Sequence, residues 1–169
     1  RIYDELGKRF PEICFVRCFM DPIMRKSGLT PDQKLRLSMY DPLKKGTVTE
    51  EGQRRISILG SDFALDETSD LKRLLRCNDY QIKESPVCES WEDYLSLSDC
   101  RMMLNCYPSG KAGTEWAAER LGRPFMYLPS CFDYDEIIGQ LEALSESMEL
   151  LGVLDYAVSY THLTLPTKA

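Results

Sequence analysis

Cys106 closes a short apolar run, Met102-Met-Leu-Asn105, and stands ahead of Tyr107-Pro-Ser-Gly110, where the pattern predicts the start of a helix of about ten residues. A thiol at a strand's carboxyl end, just before a helix amino terminus, has a setting in which cysteine pKa values fall, and such a thiolate can ligate a metal or a cluster. The competing reading is a packed thiol beneath the turn, because cysteine is among the most buried residue types. Cys131 occupies the equivalent loop after the next expected strand. Two loops from adjacent strand ends would make a pocket rim, comprising Cys106, Tyr107, Ser109 and Cys131, with Phe63, Tyr107 and Phe132 lining or sealing it.

The remaining chemistry is sparse. Seven cysteines, an odd number at irregular spacings, read as reduced thiols. Cys14 and Cys18 have no matching Cys/His pair downstream, which leaves a zinc ribbon unsupported. Cys14, Cys77 and Cys100 lie in or beside apolar periodic segments and read as small core hydrophobes. The single histidine, His162, falls in Val158-Ser-Tyr-Thr-His-Leu-Thr-Leu-Pro-Thr167, which reads as the translation of a transposon-type sequencing adaptor and follows an acidic helix without a turn signal. A Thr-rich edge strand is the rival reading of those residues. With the tail set aside, no histidine remains to serve a Ser-His-Asp or Cys-His triad. Gly60-Ser-Asp-Phe63 lacks the glycines of a dinucleotide fingerprint, and no Walker-type phosphate loop occurs. Asp66, followed by Glu67 and Asp70, reads as a negative helix start rather than an acid catalyst.

These residues need a sheet to position them. Strand patterns at 56–59, 80–84, 101–106 and 125–128 alternate with helix patterns at 67–77, 90–97, 110–121 and 134–151. Gly122 is placed to close the third of those helices. Such alternation predicts an α/β fold: a Rossmann-like parallel sheet, doubly wound and flanked by helices. Upstream, residues 1–10 read as the end of an amphipathic helix and residues 13–20 as a strand, with a loop over 21–28. Thr30, Pro31 and Gln33 form a capping box opening a helix whose apolar face is expected to be Leu35, Met39 and Leu43, ended by Asp41-Pro42. Residues 44–55 are polar, glycine-containing and linker-like. The expected organisation is therefore the C-terminal part of a first α/β domain over 1–45, a linker over 46–55, a Rossmann-like middle domain over 56–155, and the tail over 156–169.

The chain has 169 residues, 43% of them hydrophobic, enough for one domain with a core. A net charge of −6 and short, scattered basic clusters argue against a nucleic-acid groove. No apolar run approaches the roughly 18 residues of a membrane span, and the amino-terminal residues are neither a signal peptide nor an initiating methionine. The expectation is a cytoplasmic chain that begins inside a longer protein.

Four segments together carry a family likeness: Ile56-Ser-Ile-Leu-Gly-Ser-Asp-Phe63, Leu71-Lys-Arg-Leu-Leu-Arg76, Met103-Leu-Asn-Cys-Tyr-Pro-Ser-Gly110 and Leu121-Gly-Arg-Pro-Phe-Met-Tyr-Leu-Pro129. In order and spacing they resemble the middle domain of nitrogenase component 1 type oxidoreductases. Upstream, Cys18-Phe-Met-Asp-Pro-Ile-Met-Arg-Lys-Ser-Gly28 resembles the segment joining the first two domains in nitrogenase-like homologues. The likeness spans residues 1–155. It implies a three-domain subunit of Rossmann-like units, paired with a homologous subunit, holding iron–sulfur clusters or larger metalloclusters and accepting electrons from a separate ATP-dependent iron protein. It also implies that the cluster ligands come from residues outside this chain, and that Cys106 aligns with a cysteine that is not one of them. A cofactor-assembly scaffold without turnover and a metal-free binding module on the same fold are the alternatives.

Overall fold

The computed structural model describes residues 2–17 and 28–150. Cys18, the loop over 21–27 and the tail with His162 therefore lie outside the described residues. The core is a four-stranded, all-parallel sheet of β1 (Arg55–Ile58), β2 (Gln81–Glu84), β3 (Met102–Asn105) and β4 (Phe125–Tyr127), in the order β2-β1-β3-β4. Register is fixed by the pairs Ile56 with Ile82, Ile58 with Leu104, and Leu104 with Met126. All residues of β1 and β3 are buried, as expected for central parallel strands covered on both faces. This is the α/β, Rossmann-like arrangement that the alternating pattern predicts.

Successive side chains of the central strands enter opposite layers. Ile56, Ile58, Met102, Leu104 and Cys106 face a core shared with α3 (Asp70–Cys77) and α6 (Tyr134–Met148), through Leu74, Leu75, Leu141, Leu144 and Met148. Leu59 and Met103 face the other layer, where Ala117, Ala118 and Leu121 of α5 (Lys111–Leu121) meet Tyr40, Leu97 and Cys100. Gly122, at φ +67°, ends α5 in the left-handed conformation that glycine takes without a Cβ penalty. α6 is capped by Asp133, whose carboxylate accepts from the Asp135 and Glu136 amides.

Upstream lie α1 (Ile2–Arg9) and α2 (Pro31–Tyr40); between β2 and β3 runs the short α4 (Trp91–Leu95). The capping box of α2 forms as expected, with Thr30 Oγ1 accepting from the Gln33 amide at 3.3 Å and Gln33 Oε1 accepting from the Thr30 amide at 2.9 Å. Its buried face differs from the expected one: Leu35 is 39% and Met39 37% exposed, while Arg36 and Tyr40 are buried and Leu43 beyond the helix is fully buried. The reason is packing against α5, where Gly113 lets the Arg36 stem approach closely and the Arg36 guanidinium reaches Asp62 at 2.9 Å. An aliphatic stem under a paired head buries as readily as a leucine.

The residues assigned to the linker are held against the sheet unit. Arg123 Nη2 donates to Gly46 O at 2.7 Å, the Thr49 amide donates to Asp99 at 2.9 Å, and Arg120 donates to the Tyr40 and Leu43 carbonyls. Residues 13–17 carry no strand, in contrast to the expected one over 13–20, whose remainder lies outside the described residues. Cys14 and Cys77 are exposed rather than core, whereas Cys100 is buried. The helix expected from residue 67 begins at Asp70, because the Thr68 amide is taken by Asp66 Oδ1 at 2.7 Å in a turn that precedes the helix.

Candidate functional site

In a sheet of this order the topological switch point lies between the carboxyl ends of β1 and β3, the usual ligand crevice of open α/β folds. Here that crevice is filled. Gly60, at φ +87°, leaves β1 against Gly110 at the start of α5; a Cβ on Gly110 would lie 2.4 Å from Gly60 Cα. Asn105 Nδ2, at the end of β3, donates to Leu59 O at 2.7 Å and stitches the two strand ends together. Arg36, paired with Asp62, brings α2 to the loop that follows β1.

A cleft lies one strand away, at the carboxyl ends of β3 and β4. Its volume is about 300 Å³, between the loop before α3, the loop after β4, and α6. Cys106 and Cys131 both line it, together with Leu65, Leu128, Ile137 and Leu141. The two loops are joined by the Ser130 amide, which donates to Cys106 O at 3.3 Å. Gln140 Nε2 on α6 donates to Pro129 O at 3.1 Å and approaches Cys131 Sγ at 3.8 Å, so that α6 holds the β4 loop in place.

Four of the residues expected at this rim therefore separate. Cys106 and Cys131 share the cavity, while Tyr107 is 51% exposed outside it, and Ser109 Oγ is buried without a partner in the turn before α5. Phe63 and Phe132 project into solvent, 81% and 102% exposed, and do not seal the rim.

Cys106 also differs in its acidity. Burial, then the nearby Glu84 charge, push its thiol up to about 11, opposite to the depression expected ahead of a helix amino terminus. The strand's alternation explains the reversal: Cys106 faces the α3/α6 core with Met102 and Leu104, whereas α5 packs on the other face of the sheet. The thiol thus lies on the face opposite α5, and desolvation dominates.

The cavity's far wall comes from residues that pattern alone read only as a helix start. Ser69 is in the N-cap position of α3, yet its side chain makes no capping bond, and its Oγ is buried without a partner. Asp70 follows it into the lining, its carboxyl raised by burial against the opposing pull of Arg73 at 3.5 Å. Thr68-Ser69-Asp70 offers three capping-type side chains in a row, a signal for a helix start that leaves open which one caps.

Below this wall, Lys72 is anchored by the carboxyl end of β2. Its ammonium pairs with Glu84, both side chains nearly fully buried, and donates to Leu65 O at 2.8 Å and Glu67 Oε1 at 2.7 Å. Glu84 in turn accepts from the Leu65 amide at 2.7 Å. The loop carrying Leu65 into the cavity is therefore fixed by a compensated buried charge pair.

An iron–sulfur cluster on cysteine alone needs four thiolates. Among the described residues, no group of three or more His, Cys, Asp or Glu side chains converges as a metal-ligand set. The cavity offers two thiols, one of them held protonated, so these residues do not fit a cluster by themselves. No helix among the described residues is long and apolar enough to cross a membrane. Neither comparison with protein-family models nor comparison with curated proteins finds a match to this chain.

Proposed function

We propose that this chain is the middle-domain portion of a nitrogenase component 1 type oxidoreductase subunit, and that the carboxyl edge of its sheet forms one wall of a metallocluster pocket completed by other parts of the protein. The observation that carries this reading is the meeting of Cys106 and Cys131, from adjacent strand ends, in one cavity of a parallel sheet whose switch point is filled. The chain's part in this reading is shape. The Gln140 bonds and the Lys72–Glu84 pair hold the wall, and cluster ligands come from outside the described residues. In this reading the partners are a homologous subunit and an ATP-dependent iron protein that delivers electrons.

The test is to isolate the uninterrupted gene product anaerobically with its homologous subunit and to measure iron, acid-labile sulfide and visible absorbance. Cluster signals that persist in Cys106→Ala are the expected result; a metal-free complex contradicts it. A metal-free binding module on the same fold is favoured by one observation, the largely apolar lining of the cavity beside a buried thiol. A scaffold that carries a cofactor without turnover would show cluster transfer to a recipient and no substrate reduction.

A further inference from the structure

A second, shallower cleft lies between α2 and α4, beyond the carboxyl end of β2. Val16, Met39, Glu89, Trp91 and Tyr94 line it, and its volume is about 490 Å³. The Tyr94 hydroxyl donates to Met39 O, which ties α4 to α2. Tyr94 also stacks on Trp91, with ring centroids 5.4 Å apart and planes 12° from parallel. One face of the indole is thereby covered, yet Trp91 remains 42% exposed. The apolar surface continues past the cleft through two further exposed side chains, Leu35, one turn before Met39 on α2, and Val87, next to the lining residue Cys88. An aromatic and aliphatic surface of this kind, left exposed and rimmed by polar residues, marks an interaction site.

The charge on this surface defines the partner. Glu89 lines the cleft, Glu92 follows Trp91 in the chain, and the lining includes no lysine or arginine. Cations on the neighbouring elements are committed elsewhere, Lys83 to Asp93 and Arg36 to Asp62. Among the described residues no ion pair engages Glu89 or Glu92. A carboxylate beside an indole face suits a cation, and a guanidinium more than an ammonium, because it is planar, weakly hydrated and stacks on aromatic rings. Its aliphatic stem and apolar neighbours would cover Val16 and Met39. We infer that this cleft docks an arginine-bearing apolar segment of a partner protein, with the guanidinium over the open face of Trp91 and beside Glu89. The site is separate from the cleft between β3 and β4 and does not rest on the family reading above.

The test uses the 169-residue chain, isotope-labelled, titrated with the peptide acetyl-Ala-Leu-Arg-Leu-Ala-amide and separately with its twin carrying citrulline, the uncharged isostere of arginine. Saturable shifts of the Trp91 indole N–H and of the Met39 and Glu89 amides are expected, with the citrulline peptide about five-fold weaker, the scale of one exposed cation–π contact. Glu89→Gln should weaken the arginine peptide about three-fold and leave the citrulline peptide unchanged, and raising sodium chloride to about 0.5 M should act in the same way. Trp91→Leu, which keeps an apolar side chain, should bring the two peptides to equal affinity. Absence of saturable shifts, equal affinity of the two peptides for the wild-type chain, or shifts centred on another surface overturns the inference. A rise in affinity when Arg25 and Lys26 are replaced by alanine would assign the cleft to the chain's own basic pair and overturn it as well. Should Trp91→Leu not fold, the wild-type and Glu89→Gln titrations decide between these outcomes.

Discussion

At the scale of single residues, the environment around Cys106 reverses the chemistry its position in the chain suggests. Its thiol keeps its proton up to about 11 in the folded protein, against a starting value of 9.0. Between those values the folded chain binds a proton that the unfolded chain has lost, so stability falls as pH rises through this window. Cys106→Ala should flatten that alkaline slope in denaturant titrations run from pH about 8 to 11. Iodoacetamide should modify exposed Cys14 and Cys77 first at neutral pH, with Cys106 unmodified until the chain unfolds. Early labelling of Cys106 would show that its thiol is neither buried nor held protonated. Sequence showed that a thiol stands at a strand end; which face it occupies depended on strand alternation relative to a helix packed later, and that decided its acidity.

At the scale of elements, two contacts determine how the carboxyl edge is built. The first is the approach of Gly60 to Gly110, where an added Cβ at Gly60 would meet Asn105 Nδ2 at 2.1 Å and Gly110 Cα at 2.7 Å. Gly60→Ala combines this overlap with a positive φ, and a loss of about 3 kcal/mol or more is expected by chemical denaturation. A neutral effect would mean that the two strand ends do not touch. The second is the Lys72–Glu84 pair. Lys72→Met strands a buried carboxylate and should cost about 3–5 kcal/mol, whereas Lys72→Met combined with Glu84→Gln keeps an acceptor for the Leu65 amide without the charge and should recover most of the loss. Additive losses in the double variant would contradict coupling between the two side chains. Helix α2 shows the limit of pattern at this scale. Its capping box was legible because capping is local, but its buried face was not, because Arg36 and Tyr40 are buried only through α5 and the loop after β1.

At the scale of the whole molecule, the alternation of buried runs with capped helices was sufficient to read a parallel, Rossmann-like sheet. Strands β1 and β3 are short apolar runs between turn residues, and the crossover helices end at recognisable signals such as Gly122. The site was legible only in outline. Cys106 and Cys131 were placed at adjacent strand ends by topology, whereas Ser69 entered the same cavity through a failed cap and Phe63 and Phe132 turned outward, neither of which has a periodic signature. The central proposal is that this sheet edge walls a metallocluster pocket whose ligands lie elsewhere in the protein. Iron and acid-labile sulfide, measured in the anaerobically purified gene product together with its homologous subunit, test it most directly. Stoichiometric iron and sulfide that persist in Cys106→Ala are the expected result, and an assembled complex free of both contradicts the proposal.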